Sequence, residues 1–213
     1  MSEPQFDPAR FEIRPLFPTP VAIAPVVGAE TLNAELGAII LARADAAEGV
    51  LRSNDGGWQS NDDFAAWSGE AGARLTALAT ELANSLTAVQ TDSEFIRKPP
   101  VWKINAWANV NRTGDANKMH HHPAAFWSAV YWVDAGDEKS GGEFEASDPR
   151  GVLPAFYAPR VKYDIPGCLS AGGSDFIIPK TGTMLLFPSW LEHAVRPYRG
   201  TRPRISVALN FCV

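Results

Sequence analysis

Hydrophobic and polar positions change rhythm halfway along the chain. In the first half, apolar residues recur at three- and four-residue steps. The stretch "ETLNAELGAIILARADAAEG" sets Leu32, Leu36, Ile39 and Ile40 on one side of a helix, with Thr31 as cap and Gly49 as stop. "SGEAGARLTALATELANSLTAV" does the same with Leu75, Leu78, Leu82 and Leu86, and Ser68 stands in cap position. The polar, glycine-bearing "LRSNDGGWQSNDDFAAW" between them reads as a loop. From Pro100 on, short β-branched and aromatic runs are separated by Gly, Pro, Asp and Ser. Eight runs predict strands: "VWKINAWANVN", "FWSAVYWVDA", "GEFEA", "VKYDI", "SDFIIP", "TMLLFP", "HAVRPY" and "RISVALNF". "PKTG" at 179–182 marks a tight turn between two of them. The expected fold is mainly β with flanking helices, in which eight strands form a barrel of two facing sheets with a ligand site at its mouth. One domain is expected over residues 1–213. Its helical and loop part, 1–99, would pack on a β-barrel core, 100–213, that carries the site.

Composition changes this picture little. The 213 residues, 46% hydrophobic and 20% charged, make an ordinary globular mix. A net charge of −5 without any basic run argues against nucleic acid or an anionic membrane as partner. No apolar run approaches the roughly 20 residues of a membrane span, and the first residues lack a signal core, so a cytoplasmic protein is expected. Cys168 and Cys212 have no motif spacing and read as free or buried thiols. The oligomeric state is not legible.

The chemistry concentrates in the histidines. Three of the four stand together in "MHHHP" at 119–123. If this stretch is extended, His120 and His122 share one face, His121 takes the other, and Pro123 ends the pairing. His193 follows 71 residues after His122, a distance over which an up-and-down chain returns to the same rim. Three neutral imidazoles on one face would bind a first-row divalent metal and leave positions open for catalysis. Beyond His193, Arg204 and Ser206 are again two apart. They sit in a nearly continuous apolar run, where an arginine needs an anionic partner. Of the aromatics near these positions, Trp107, Phe126, Trp127, Tyr131, Trp132 and Trp190, most alternate as core residues and one or two fit a rim.

The pattern of His120 and His122, then His193, then Arg204 and Ser206, resembles the core of the 2-oxoglutarate/iron(II)-dependent dioxygenases. The stretches "NAWANVNRTGDANKMHHHP", "DPR", "FPSWLEH" and "RPRIS" resemble more narrowly a bacterial and phage family of such oxygenases, and "RPLFPTPV" and "RSNDGGWQS" extend the likeness over nearly the whole chain. The resemblance implies a double-stranded β-helix, a jelly-roll or cupin-like barrel. It implies iron(II) on His120, His122 and His193, and 2-oxoglutarate held at its far carboxylate by Arg204 and Ser206. Asn111 would touch the metal-proximal end. The reaction implied is hydroxylation of a small-molecule or peptide substrate coupled to decarboxylation of 2-oxoglutarate. One departure is that His122 stands where the superfamily usually has Asp or Glu. A carboxylate could come instead from Asp115, Glu143 or Asp148, with Glu143 foremost. Two other classes stay open: a three-histidine metalloenzyme that does not use 2-oxoglutarate, and a non-enzymatic jelly-roll binding protein.

Overall fold

The alternation along one strand explains how the molecule is layered. In Arg204–Cys212, the odd-numbered Ile205, Val207, Leu209 and Phe211 join an apolar core with the helices. Arg204, Ser206, Ala208 and Asn210 face the other way. The computed structural model describes residues 12–90, 95–96, 99–152, 156–168 and 172–213.

In chain order the elements are β1 (Ala22–Pro25), α1 (Ala29–Ala46), β2 (Asn54–Asp55), β3 (Trp58–Gln59), α2 (Phe64–Trp67), α3 (Gly69–Ser85), β4 (Val89–Gln90), β5 (Phe95–Ile96), β6 (Lys103–Asn111) and β7 (Ala116–His120). They continue with β8 (Trp127–Asp134), β9 (Phe144–Ser147), β10 (Ser174–Ile177), β11 (Thr183–Pro188), β12 (His193–Val195) and β13 (Arg204–Cys212). A six-stranded sheet has the order β1-β11-β8-β13-β6-β3, and a five-stranded sheet the order β10-β9-β12-β7-β2. From β6 to β13 the chain passes back and forth between the two sheets, as in a double-stranded β-helix. The strand ladders do not close into a continuous barrel, contrary to the expectation. Each sheet ends in edge strands of only two to four residues, too short to carry the pairing onward.

Helices cover one face of the larger sheet. Leu36 and Ile40 of α1 and Leu75 of α3 are fully buried against Val110, Tyr131, Leu186 and Leu209. A second apolar cluster, Trp132, Phe144, Leu185, Phe187 and Leu191, lies between the sheets. Tyr131 on the helix side donates its hydroxyl to Asn33 Oδ1 at 2.6 Å, so its polar end is satisfied within the core.

Several expectations are corrected. α1 begins at Ala29 behind Gly28, so Thr31 lies inside the helix and does not cap it. Ser68 does precede α3, but its hydroxyl makes no capping bond. The segment read as a loop holds β2, β3 and α2. "VKYDI" forms no strand among the described residues, and Val161 and Tyr163 are exposed. The chain steps from β2 in one sheet to β3 in the other through Gly56 and Gly57, both at positive φ (73° and 66°), a conformation that glycine adopts without strain. A Cβ on Gly56 would stand 2.2 Å from Asp115 Oδ1.

Candidate active site

His120 ends β7, and His193 begins β12. The two strands are paired, and these residues are directly opposed. His122 lies two residues beyond β7, where its N–H bonds Ser189 O at 2.9 Å, just ahead of Pro123. The ring centroids are 4.3 Å apart for His120 and His193, 5.0 Å for His120 and His122, and 5.1 Å for His122 and His193. One ligand nitrogen from each falls within 4.8 Å of the others. Among the described residues this is the one group of three or more His, Cys, Asp or Glu side chains so gathered. His121 is exposed and takes no part in it.

The surroundings hold these rings in the form a metal needs. His120 Nδ1 lies 2.7 Å from Lys118 O, and His193 Nδ1 lies 2.8 Å from Leu191 O. A carbonyl only accepts, so each Nδ1 carries the proton and each Nε2 keeps its lone pair. Burial lowers the pKa of all three, helped by the neighbouring imidazoles: His122 to about 4, His193 to about 3, and His120 in the same direction. His193 is wedged between Phe144, stacked at 5.1 Å, and Phe187 at 4.8 Å. A divalent ion fits this donor set of three neutral nitrogens.

Among the described residues no carboxylate joins them. Asp148 is taken up by a two-point pair with Arg150 (2.9 and 2.8 Å) and by Gly172 N–H. Asp115 accepts from Arg112 N–H at 2.6 Å. Glu143, the foremost candidate, is outside the cluster, and its charge acts on Arg204 instead.

Arg204 lies on the inner face of the larger sheet, 2% exposed, opposite Asn111 on β6. Its Nη1 donates to Asn111 Oδ1 at 3.2 Å, while its Nε is buried without a partner among the described residues. Burial pulls its pKa down to about 10, against the opposing pull of Tyr198 and Glu143, so it stays cationic at neutral pH. Ser206 follows on the same face, opposite Asn109 on one side and Trp132 on the other. The indole N–H of Trp132, 1% exposed, is also without a partner. A buried cation with a free N–H, beside a second free N–H and a hydroxyl, is a cradle for a carboxylate. In the sequence Trp132 is one of six aromatics of which most alternate as core residues. Only its register beside Ser206 shows its polar end. Asn111, expected at the metal-proximal end of the ligand, is committed to the guanidinium of Arg204.

Of the remaining aromatics, Trp127, Tyr131 and Trp132 are buried, while Phe126 and Trp190 are each 53% exposed. Trp107 packs edge-on to His122 at 5.6 Å. No helix among the described residues is long and apolar enough to cross a membrane.

A family model described as "Putative 2OG-Fe(II) oxygenase" matches residues 105–210, the stretch that holds every residue of this site. A search of curated proteins returned no match. Among solved structures, the viral collagen prolyl hydroxylase of Paramecium Bursaria Chlorella virus-1, a 2OG complex, is 15% identical over 91% of this chain and 96% of that one, with a TM-score of 0.58. A Trichoplax adhaerens prolyl hydroxylase bound to a hypoxia inducible factor peptide is 13% identical over 90% and 83%, with a TM-score of 0.60. HygX of Streptomyces hygroscopicus, with nickel and 2-oxoglutarate bound, is 13% identical over 91% and 83%, also at 0.60. Identities this low speak for the fold alone.

Proposed function

Through residues 105–210 the chain belongs to the 2-oxoglutarate/iron(II)-dependent oxygenases, and from that premise we propose what each gathered residue does. His120, His122 and His193 hold iron(II). Arg204, with Ser206 and Trp132, holds the far carboxylate of 2-oxoglutarate. Asn111 steadies the guanidinium. The observation that carries this reading is the pairing of three imidazoles, His193 buried and His120 and His122 half-buried, whose ligand nitrogens lie within 4.8 Å, with a buried arginine whose Nε lacks a partner among the described residues. Iron(II) and 2-oxoglutarate supply the oxidation, in which dioxygen is consumed, 2-oxoglutarate leaves as succinate and carbon dioxide, and the substrate gains a hydroxyl.

The chain supplies position and shielding. Backbone carbonyls fix which nitrogen of His120 and of His193 faces the ion. Phe144 and Phe187 close one side of His193 to water. Three protein ligands leave positions for cosubstrate and dioxygen. The ligand set is uncharged, so the doubly negative 2-oxoglutarate offsets the metal's charge, and Arg204 neutralises its remote end. The substrate is a small molecule or a peptide residue, entering beside Trp107 and His122.

Iron(II) followed by 2-oxoglutarate, added without oxygen, should produce the weak visible charge-transfer band of a chelated keto acid. Arg204→Ala should abolish the band at the same 2-oxoglutarate concentration while the metal still raises the melting temperature. A band that survives Arg204→Ala, or metal binding without any band in the native chain, would overturn this reading.

A further inference from the structure

The chain crosses between the two sheets from β2 to β3, and a cleft of about 540 Å³ lined by residues around this crossing opens beside His120 and His122. Its polarity is divided. β2 is the edge strand of the five-stranded sheet, and Lys118 N–H bonds Ser53 O at 2.8 Å just ahead of it. That pairing sets Arg52 and Lys118 together on one wall, and both line the cleft. Neither is ion-paired among the described residues.

β3 is the edge strand of the other sheet, and it carries Gln59, with Asp62 three residues on. Both line the cleft, from the side of the other sheet. Gln59 is 3% exposed, and its buried carboxamide oxygen accepts no hydrogen bond. A buried acceptor left empty is costly, and a donor from a ligand would satisfy it. Trp107 supplies an apolar surface in the cleft, next to His122.

Resting on the oxygenase reading above, we propose that the primary substrate is a free amino acid, a small zwitterion held across this cleft. Its carboxylate is held by Arg52 and Lys118, and its ammonium by the Gln59 oxygen and Asp62. The side chain lies along Trp107 towards the metal ligands. Other classes fit the charges less well. An internal peptide residue would leave both cations and Asp62 without partners. A dicarboxylate would face Asp62 and leave the Gln59 oxygen empty. A polyamine would meet two cations.

The test uses the anaerobic iron(II)–2-oxoglutarate complex of the full chain, titrated with each proteinogenic L-amino acid while the charge-transfer band is followed. At least one free amino acid should perturb the band and stimulate succinate formation in air. Its methyl ester and its N-acetyl derivative should each bind at least about tenfold more weakly. Gln59→Leu and Arg52→Ala should each weaken its binding by a similar factor, and the exposed Arg52 keeps the test available if the Gln59 variant does not fold. A band that no free amino acid perturbs overturns the proposal alone. So does equal binding of the N-acetyl form or of peptides, which would assign a peptide residue as substrate, or equal binding by both variants. Absence of the band in the native chain overturns the oxygenase reading first and this proposal with it.

Discussion

Each of the two opposed histidines carries its own alignment. His120 bonds the carbonyl two residues before it, and His193 does the same, so the tautomer is set by the local chain and not by distant partners. Their low pKa values have a consequence for stability. In the folded protein the rings stay neutral down to about 4 for His122 and about 3 for His193. In the unfolded chain they take up protons near the ordinary 6.5. Their contribution is therefore complete above 6.5 and is lost as pH falls towards 4 and then 3. The melting temperature of the metal-free protein should decline steadily across that window. A divalent metal should raise it above 6.5 and lose its effect within the same window, and a flat profile would show that the rings are not desolvated. At Arg204, the neighbouring "ISVALNF" made burial legible. The uncommitted donors of Arg204 and Trp132 were not, because they depend on register across three strands.

Among the elements, the connection from β12 to β13, which crosses from one sheet to the other, sets where Arg204 begins. Tyr198 is fully buried at its base, donating its hydroxyl to Arg202 O and accepting from Asp137 N–H, both at 2.8 Å. Asp137 in turn accepts from Thr201 N–H at 2.6 Å and from Arg202 Nε at 3.0 Å. Tyr198→Phe removes both hydroxyl bonds without changing the ring. The expected outcome is a several-fold rise in the KM for 2-oxoglutarate, with kcat and metal affinity held, read from succinate formation and from metal titration. Seven of the eight predicted runs overlie strands, since each has a partner that makes its apolar alternation meaningful. "VKYDI" has the alternation but forms no strand among the described residues, and alternation alone does not make a sheet. The two-residue strands β2 and β3 escape notice for the opposite reason: they are shorter than any period, and each is a strand only through the edge it meets, β7 for β2 and β6 for β3. The cleft that these two strands border is hidden with them.

At the scale of the whole molecule, two apolar layers do separate work. One joins the helices to the outer face of the larger sheet, and the other fills the space between the sheets beside the site. Leu75→Ala on α3, at a position with no exposure, should cost about 2–5 kcal/mol in urea unfolding. The charge-transfer band should be untouched, because the helix meets only the outer face. That division turns β13 into a strand with two independent readings interleaved. A library that varied every position from Arg204 to Phe211 would show a rhythm of two: odd numbers would move the unfolding midpoint, and even numbers would move ligand affinity. Selection acting on the even positions could retune what the enzyme accepts while leaving foldability nearly constant, so drift in specificity and drift in stability can proceed on alternate residues of a single segment.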